Sequence, residues 1–595
     1  MRLFFRFKYL VILVLAILLT AIAPQVLSQN YIYSQTNYEE VEFSDRRLER
    51  RIRKALNLNN SEPLTRDRLA RVIKLDLTDI VIFNLDGIES LINLKELKLD
   101  SNSRRSDPTP IGQLTHLEKL ILPRQDIENL NFLTRLIDLR ELDLSNNKIT
   151  DLTSLAGLTN LRKLDLDSNQ IINITSLNKL TNLRKLDLSG NEISDLTPLR
   201  TLTNLRELDL ANNEISDLTP LATLTNLREL NLIINKINDS TGLETLINLK
   251  ELFLPSNQIT NLKPLATLIN LEELTLSNNQ ISNVTRLKTL INLKRLELEN
   301  NQINDLTGIE NLTNLQLLTL WSNQITDLEP LSNLNNLIEL YISSNEIDDI
   351  NPLANLTKLA WLEIDKNQIS DPSALMNLTD LEGLNLDENE IKQITFLKNL
   401  IKLSRLHLGK NKIEKIDSIS GLTNLEKLYL HGNKITDITP LSELTNLEWL
   451  DLHENQISDI STVEKLSSID RIDLSKNKIV DVTPLAKLTD LTDIYLLNLS
   501  YNQIVDVTSL GEATKNILGI LDLRYNQIKD ATPLVPLLSK YARIGLSHNP
   551  IDVCELSCAI RFKGVKRTIC IEQSNPTEAK CKLPDTDKII WEESN

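Results

Sequence analysis

An asparagine that returns every 22 residues is the strongest constraint on how this chain can fold. The segment that starts at Leu183 reads LRKLDLSGNEISDLTPLRTLTN, and from Leu205 the chain reads LRELDLANNEISDLTPLATLTN. The asparagine keeps one phase through sixteen consecutive units, from Asn147 to Asn477. A period of roughly 20 to 50 residues predicts a repeat architecture and not a row of independent globular domains.

The apolar residues keep fixed places in this repeat. With the asparagine numbered zero, leucine falls at −8, −5 and −3, isoleucine at +2, and leucine, isoleucine or valine at +5 and +8. The alternation around −5 and −3 predicts a short strand whose leucines point inward, while positions −6, −4 and −2 point outward. The residues that remain are too few for a long helix, so the opposite side should carry 3₁₀ turns or short helices.

These patterns predict an α/β repeat solenoid. It should be a leucine-rich-repeat horseshoe with a parallel concave β-sheet and convex 3₁₀ or short-helix turns. The asparagine is interpreted as structural, because its amide can satisfy backbone donors and acceptors where the strand bends into the loop. Imperfect units flank the strict ones, which gives about 22 units in all. They have Ile80, Asn102 and Gln125 in phase upstream, and Asn502, Asn526 and Asn549 downstream.

The chain begins with the features of an export signal. Basic residues at Arg2, Arg6 and Lys8 precede an apolar run over residues 10–23, and Ser28 suits cleavage before Gln29. A retained membrane anchor is the alternative, but this run is short against the ~20 apolar residues that a spanning helix needs. We therefore expect an extracytoplasmic mature chain, with no transmembrane span.

The predicted domain order is a signal peptide at 1–28, an N-terminal region with a helical cap at 29–73, the repeat array at 74–551, and a cysteine-containing C-terminal cap and tail at 552–595. Terminal coils of a solenoid need caps because they expose an apolar end. Asp45 followed by Leu48, Ile52, Ala55 and Leu56 predicts a capped amphipathic helix. Its outer face should carry Arg46, Arg47, Arg50, Arg51, Arg53 and Lys54, most simply as a solvated face.

All the cysteines lie in the last 42 residues. They are Cys554, Cys558, Cys570 and Cys581. In an exported protein they favour two disulfides over a zinc site, because the paired short spacings of zinc ligands are missing at one end. The sequence leaves open which of the three possible pairings forms.

Aromatic side chains cluster on the predicted outward positions. Six of the seven aromatics in residues 139–485 fall at −6, −4 or −2, where random placement would put about one. Strand propensity explains part of this enrichment. It does not explain why nearly all lie in the later coils, so we predict a ligand-binding patch there. The patch residues are Trp321, Tyr341, Trp361, His407, Tyr429, His431, Trp449 and His453.

Two groups of polar residues raise the question of metal binding. His431 and His453 occupy the same position on adjacent coils, ~4.8 Å apart, which permits a metal ion or a pH-sensitive pair. Two ligands are weak support, so no metal site is predicted. A column of acidic residues at −4 permits Ca²⁺, although a solvated acidic face is the simpler interpretation. The column consists of Asp143, Asp165, Asp187 and Asp209.

Neither an enzyme nor a nucleic-acid-binding protein is predicted. The chain contains no glycine-rich phosphate loop, no nucleophile elbow and no catalytic triad signature, and its five histidines are dispersed. The formal charge of −16 argues against a general partner among nucleic acids. No cofactor is expected.

The segment LTNLRELDLANNEISDLTPLA, residues 202–222, resembles the repeat of bacterial internalins and related leucine-rich-repeat proteins. The segment from Val41 to Asp100, with LDGIESLINLKELKLD, looks like their N-terminal cap region. Internalins bind host surface proteins with the concave face, so the resemblance implies a protein ligand, with a cell-surface protein as one candidate. The repeat length also resembles an intracellular regulatory subunit of protein phosphatase 1. A carbohydrate-binding surface module is the other alternative, because sugars stack on aromatic rings.

Overall fold

The protein is represented by a computed structural model. The structure describes residues 39–99, 107–488, 494–512, 517–540, 543–551 and 569–570. They fall into two compact units, a first that ends at Leu271 and a second that begins at Glu272. The predicted export signal and three of the four cysteines lie outside the described residues, as does the side chain of Cys570.

The first unit opens with the predicted helix. Helix α1 spans Arg46–Ala55, and the side chain of Asp45 caps it by accepting a hydrogen bond from the backbone N–H of Arg47. Leu48 and Ile52 are fully buried, as predicted. A shorter helix, α2, follows at Arg66–Leu69.

The predicted outer face of α1 was wrong at one residue. Arg53 is only 8% exposed, whereas Ala55, predicted to be buried, is exposed. The Arg53 guanidinium donates hydrogen bonds to Glu49 Oε1 and to the backbone carbonyls of Asn59 and Glu62. These acceptors compensate the burial of its charge, so Arg53 holds the chain that leaves the helix.

Each coil of the first unit contributes one short strand to a parallel ladder. Neighbouring strands align leucine with leucine, as in the pair Leu164 and Leu186. The strands are β1 Lys74–Leu77, β2 Glu96–Leu99, β3 Lys119–Ile121, β4 Glu141–Asp143, β5 Lys163–Asp165, β6 Lys185–Asp187, β7 Glu207–Asp209, β8 Glu229–Asn231 and β9 Glu251–Phe253. The 3₁₀ turns are Ile88–Ser90, Thr109–Gln113, Asn131–Arg135, Thr153–Leu155, Thr175–Lys179, Thr197–Thr201, Thr219–Thr223 and Lys263–Thr267.

The second unit repeats this construction. Its strands are β10 Glu273–Thr275, β11 Arg295–Glu297, β12 Leu317–Thr319, β13 Glu339–Tyr341, β14 Trp361–Glu363, β15 Gly383–Asn385, β16 Arg405–His407, β17 Lys427–Tyr429, β18 Trp449–Asp451, β19 Arg471–Asp473, β20 Ile494–Asn498, β21 Ile517–Asp522, β22 Arg543–Gly545 and β23 Ile569–Cys570. The 3₁₀ turns are Thr285–Thr289, Ile309–Asn311, Glu329–Leu331, Asn351–Asn355, Ser373–Asn377, Thr395–Asn399, Asp417–Ile419, Thr439–Glu443, Ser461–Lys465 and Thr532–Lys540. Two short α-helices take their place in the later coils, α3 at Thr483–Leu488 and α4 at Thr508–Glu512.

The inward positions build the core as predicted. In the coil of Asn323, the side chains of Leu315, Leu318 and Ile325 have no exposed surface. The strand residues on either side of Leu318 are half-buried, so one face of each strand stays accessible. Because the register is leucine to leucine in successive coils, each coil covers the apolar side of its neighbour.

The repeat asparagine performs the predicted backbone role. Asn323 Nδ2 donates to the carbonyls of Leu298 and Leu320, and its Oδ1 accepts from the N–H of Ile303, all at 3.0–3.1 Å. The amide therefore joins its own coil to the preceding one. A buried amide with all of these partners avoids the cost of unsatisfied polar groups at the bend.

The residue before each asparagine adopts a left-handed backbone, which the sequence did not predict. In the second unit, φ is 56° at Ser322, 50° at Lys410 and 63° at Gly432. Glycine is the residue best suited to this conformation, but most coils carry another residue there. The conformation persists in these coils because the hydrogen bonds of the asparagine and of the adjoining strand fix the turn.

Candidate ligand-binding surface

The predicted patch lies entirely in the second unit. Its side chains extend from the strand positions −6 and −4 or from −2, just after the strand, on the accessible side of the sheet. We call this side the sheet face. Trp321 is 38% exposed, whereas Trp361, Tyr429 and Trp449 are half-buried. These rings are half-buried because they pack against one another and against arginine side chains on the sheet face.

Trp361 packs across the next strand onto a glycine. A Cβ atom added at Gly383 would lie 2.4 Å from the indole ring, so any larger residue there would displace Trp361. The guanidinium of Arg405, one strand further on, lies 5.2 Å from the indole centroid. Trp361 Nε1 donates a 3.0 Å hydrogen bond to Glu363 Oε1. The ring is therefore held by three contacts, with the backbone of Gly383, the guanidinium of Arg405 and the carboxylate of Glu363.

A further run of ring and guanidinium contacts crosses the following strands, beginning at His407. His407 stacks on Tyr429 with ring centroids 4.0 Å apart, and Tyr429 meets Trp449 at 5.7 Å. Arg471 then lies 5.0 Å from the Trp449 ring and 5.5 Å from that of Tyr495. We call this set the aromatic ribbon. It consists of Trp361, Arg405, His407, Tyr429, Trp449, Arg471 and Tyr495.

The prediction from sequence did not include three members of this ribbon. Arg405 and Arg471 were not considered, because a search for rings ignores the cations that stack on them. Tyr495 lies in β20, where the strict spacing ends and the strand register with β21 shifts. It is 58% exposed. Arg471 could have been found from the sequence, because it pairs with the outward-facing Trp449 on the neighbouring strand, whereas Arg405 lies two strands away from Trp361.

Trp321 and Tyr341 belong to the predicted patch but stand apart. Among the described residues, neither makes a ring contact with the ribbon. Tyr341 donates a 2.8 Å hydrogen bond from its hydroxyl to Glu339 Oε2. Burial and this hydrogen bond raise the pKa of the Tyr341 hydroxyl above its ordinary value, so it stays a donor. Burial likewise raises the pKa of Tyr429 within the ribbon.

The two predicted histidines lie beside the ribbon and share a carboxylate. The rings of His431 and His453 are parallel, with centroids 4.7 Å apart, close to the predicted spacing. Asp451 Oδ1 lies 2.7 Å from His453 Nδ1, and Asp451 Oδ2 lies 3.6 Å from His431 Nδ1. The hydrogen bond with Asp451 raises the pKa of the His453 imidazole, although burial opposes the shift. The sequence prediction did not include Asp451, because it compared residues at position −4 only with one another and residues at position −2 only with one another.

The acidic column of the first unit has a structural role. Asp143 Oδ1 accepts a 2.9 Å hydrogen bond from the backbone N–H of Ser145, two residues further on. Asp165, Asp187 and Asp209 accept the equivalent bonds at 2.9–3.1 Å. Within the described chain, these carboxylates do not form a cluster of three close enough to hold a metal ion. Burial, followed by the charges of the neighbouring carboxylates, raises the pKa of Asp165 to about 6.

A second stack of rings lies in the last coils and was not predicted. Tyr501, Tyr525 and His548 stack at 4.0 Å each, with planes within 10°. All three occupy the left-handed position before the repeat asparagine, with φ of 56–59°. The left-handed turn aims these side chains alongside one another from successive coils. The prediction missed them because it considered only strand positions of the strict array.

Comparison with known proteins identifies the family to which these repeats belong. Models of leucine-rich repeats match residues 115–171 and, in two-copy form, 159–201, 203–245, 247–355, 401–443 and 445–487, more than half of the chain. The chain belongs to the leucine-rich-repeat proteins, and its repeats are internalin-like. No curated protein sequence gives a significant match.

Solved structures of other leucine-rich-repeat proteins resemble this one. An internalin of Listeria monocytogenes is 31% identical, over 69% of this chain and 96% of its own, with a TM-score of 0.37. A leucine-rich-repeat protein of Leptospira interrogans is 29% identical, over 65% of this chain and 97% of its own, with a TM-score of 0.56. The Arabidopsis receptor kinase HAESA, solved with the peptide hormone IDA and the co-receptor SERK1, is 22% identical over 81% of this chain and 87% of its own, with a TM-score of 0.57. The last comparison concerns the fold alone.

Among the described residues, no helix is both long enough and apolar enough to cross a membrane. The sequence prediction of a leucine-rich-repeat solenoid with a parallel sheet and 3₁₀ turns is confirmed. The predicted site residues remain a proposal, and the structure adds four neighbours to them, Arg405, Arg471, Tyr495 and Asp451.

Proposed function

We propose that this leucine-rich-repeat protein is exported, has no enzymatic activity, and binds a protein ligand through the sheet face of its second unit. The observation that carries the proposal is the aromatic ribbon, in which rings and guanidinium groups form unbroken contacts from His407 to Tyr495. Tryptophan, tyrosine and arginine are the residues that dominate binding energy at protein interfaces.

Rigidity supports this proposal. The ribbon side chains project from strands whose backbone is held in place by parallel pairing and by the hydrogen bonds of the repeat asparagines. A surface that is ordered before binding loses little conformational entropy when a ligand docks. The HAESA structure, which contains the peptide hormone IDA, is an example of a receptor with this fold that binds a peptide ligand.

The ring faces favour a protein over a sugar. Carbohydrates stack on an open aromatic face. Tyr429 is flanked by His407 and Trp449, and Trp449 is flanked by Tyr429 and Arg471. These two rings therefore offer little open face for stacking, and the Glu363 carboxylate beside Trp361 adds a hydrogen-bonding group, which suits a polypeptide surface.

Ligand capture tests the ribbon directly. Residues 29–595 are immobilised as wild type, as Trp361→Ala/Trp449→Ala, and as Phe253→Ala/Tyr501→Ala, and the proteins retained from cell-surface extracts are identified by mass spectrometry. The control pair removes two aromatics that belong neither to the ribbon nor to the predicted patch. We expect a protein that is retained by the wild type and the control and lost, by at least about tenfold, with the ribbon variant.

Three results would contradict the proposal. Equal retention by both double variants would remove the ribbon from ligand binding. Release of the captured protein by free sugars would favour the carbohydrate-binding module. Export is tested separately by the N-terminus of the native protein: a mature chain that begins near Gln29 outside the cytoplasm supports it, and a full-length cytosolic chain would favour the phosphatase-regulatory type of scaffold.

A further inference from the structure

His431, Asp451 and His453 form the one group within the described residues whose ligand atoms are all close enough to hold a metal ion, within 4.8 Å of one another. They come from two adjacent coils. Asp451 ends strand β18, and the histidines follow the ends of β17 and β18. The parallel register therefore brings together donors that lie up to 22 residues apart in the sequence.

The coil before this group is adapted to it. A Cβ atom at Gly409 would lie 2.2 Å from the His431 ring, so the glycine leaves room for the imidazole to lie flat against the preceding coil. In most other coils, position −2 carries serine or a residue larger than serine, such as isoleucine. With the ring held there, His431 Nδ1 points toward the Asp451 carboxylate at 3.6 Å.

One donor of the group has no hydrogen-bond partner. His431 Nδ1 is buried, and it makes no hydrogen bond within the described part of the chain. A buried polar nitrogen without a partner costs free energy. The neighbouring Asp451 carboxylate is too far for a hydrogen bond but carries the negative charge that a cation between the two groups would need.

We propose that His431, Asp451 and His453 bind a divalent transition-metal ion of the zinc class. Two imidazoles and one carboxylate are a ligand set that such ions favour, whereas Ca²⁺ and Mg²⁺ favour oxygen ligands alone. Two ligands of a tetrahedral zinc ion lie roughly 3.3 Å apart, given metal–ligand bonds of about 2.0–2.1 Å. The Asp451 oxygens lie 2.7 and 3.6 Å from the two Nδ1 atoms, on either side of that value.

Small side-chain rotations complete this site. The imidazole planes are within 6° of parallel, so both lone pairs reach one ion only after the rings turn toward each other. Rotation of an imidazole about its last torsion is soft. Three protein ligands leave a position for water, because a zinc ion takes four in a tetrahedral site.

The experiment is a titration of the free full-length protein with Zn²⁺, followed by calorimetry and by thermal unfolding. The variants are His431→Ala, His453→Ala, their combination, and Asp451→Asn. The asparagine is conservative, because Asn385 and Asn498 stand at the same repeat position and accept the same backbone hydrogen bond that Asp451 accepts from His453. His407→Ala is the matched control, a histidine of the same sheet face outside the group.

We expect the wild type and His407→Ala to bind one more equivalent of Zn²⁺ than the double histidine variant. Each single substitution should weaken that equivalent by at least about tenfold. Comparison with the double variant subtracts any zinc held by the cysteines at 554–581. The proposal is overturned if the double variant binds as many equivalents as the wild type, or if His407→Ala weakens binding as much as His431→Ala. No protein ligand enters this titration, so it can fail or succeed independently of the capture experiment.

Discussion

Asp165 carries its charge in the middle of a column of carboxylates in the first unit. Burial, together with Asp143, Asp187 and Asp167, raises its pKa to about 6 from an ordinary value of 3.8. The folded protein therefore holds this proton more tightly than the unfolded chain does. As pH falls from above 6 to below 3.8, the protonation of Asp165 contributes increasing stability, and above 6 its ionised carboxylate is a cost.

Asp165→Asn should therefore raise the free energy of unfolding at pH 7.5 by roughly 1 kcal/mol, after allowance for solvent screening. The gain should vanish near pH 3.5, where the aspartate is itself neutral. The asparagine keeps an acceptor for the N–H of Asp167, as Asn231 does for Ile233. Thermal unfolding across this pH range measures both effects.

Asp151→Asn is the control of opposite sign. Hydrogen bonds from the Thr153 hydroxyl and N–H lower the pKa of Asp151. Its ionised form is thus favoured by folding, and any contribution is present at neutral pH and lost as pH falls below its ordinary value. This variant should gain nothing at pH 7.5. An equal gain from both substitutions would show that net charge, and not the environment of Asp165, sets the effect.

At the scale of a strand, Gly383 in β15 shows how one coil shapes the surface of another. Its missing Cβ leaves the space that the Trp361 indole fills. Gly383→Ala should push the ring away from Arg405 and lower the free energy of unfolding by about 1 kcal/mol, because the lost cation–π contact and the overpacking against the indole together exceed the gain from alanine in a strand. Chemical denaturation followed by circular dichroism measures the loss.

The same substitution in a Trp361→Ala background separates the ring contact from the backbone. There the added methyl meets no indole, and alanine in a strand is favoured over glycine by roughly 0.5–1 kcal/mol. Gly383→Ala should then be neutral or stabilising. A loss of the same size in both backgrounds would place its cause in the strand and not in the ribbon.

Across the whole molecule, the repeat made the core and the ladder predictable from sequence. Each inward leucine and each asparagine occupies a place that 22-residue spacing alone defines, as Leu318 and Asn323 do. What escaped prediction depends on distances between different positions of neighbouring coils. Asp451, which lies between two histidines, is such a case, whereas Arg471 pairs with Trp449 at the same repeat position and was missed because only rings were sought. A comparison of residues at one repeat position at a time does not detect contacts between different positions.

The burial of Arg53 and the ring stack at Tyr501 have another cause. Arg53 is buried because backbone carbonyls beyond the helix accept its hydrogen bonds, and helical periodicity carries no information about those carbonyls. Tyr501 is aimed by a left-handed backbone that most coils reach without glycine. Local propensity disfavours that conformation, and the tertiary hydrogen bonds of the turn override it.

The construction of the molecule from equivalent coils predicts how it tolerates deletion. Removal of residues 183–204, one complete repeat, joins Asn182 to Leu205 and lets β5 pair with β7 in the same leucine-to-leucine register. Stability in a repeat protein is a sum of coils and their interfaces, so the midpoint of thermal unfolding should change by no more than ~5 °C. Circular dichroism should show the same secondary structure per residue.

Removal of only residues 194–204 is the matched control. This shorter deletion joins Ile193 to Leu205 and leaves one coil without its 3₁₀ turn and its inward leucines at Leu196, Leu199 and Leu202. The neighbouring coils then lose the apolar surface that covers them, although fewer residues are missing. This variant should unfold well below the complete-repeat deletion. If the two deletions unfolded at the same temperature, chain length and not coil completeness would govern stability, and the equivalence of the coils would be refuted.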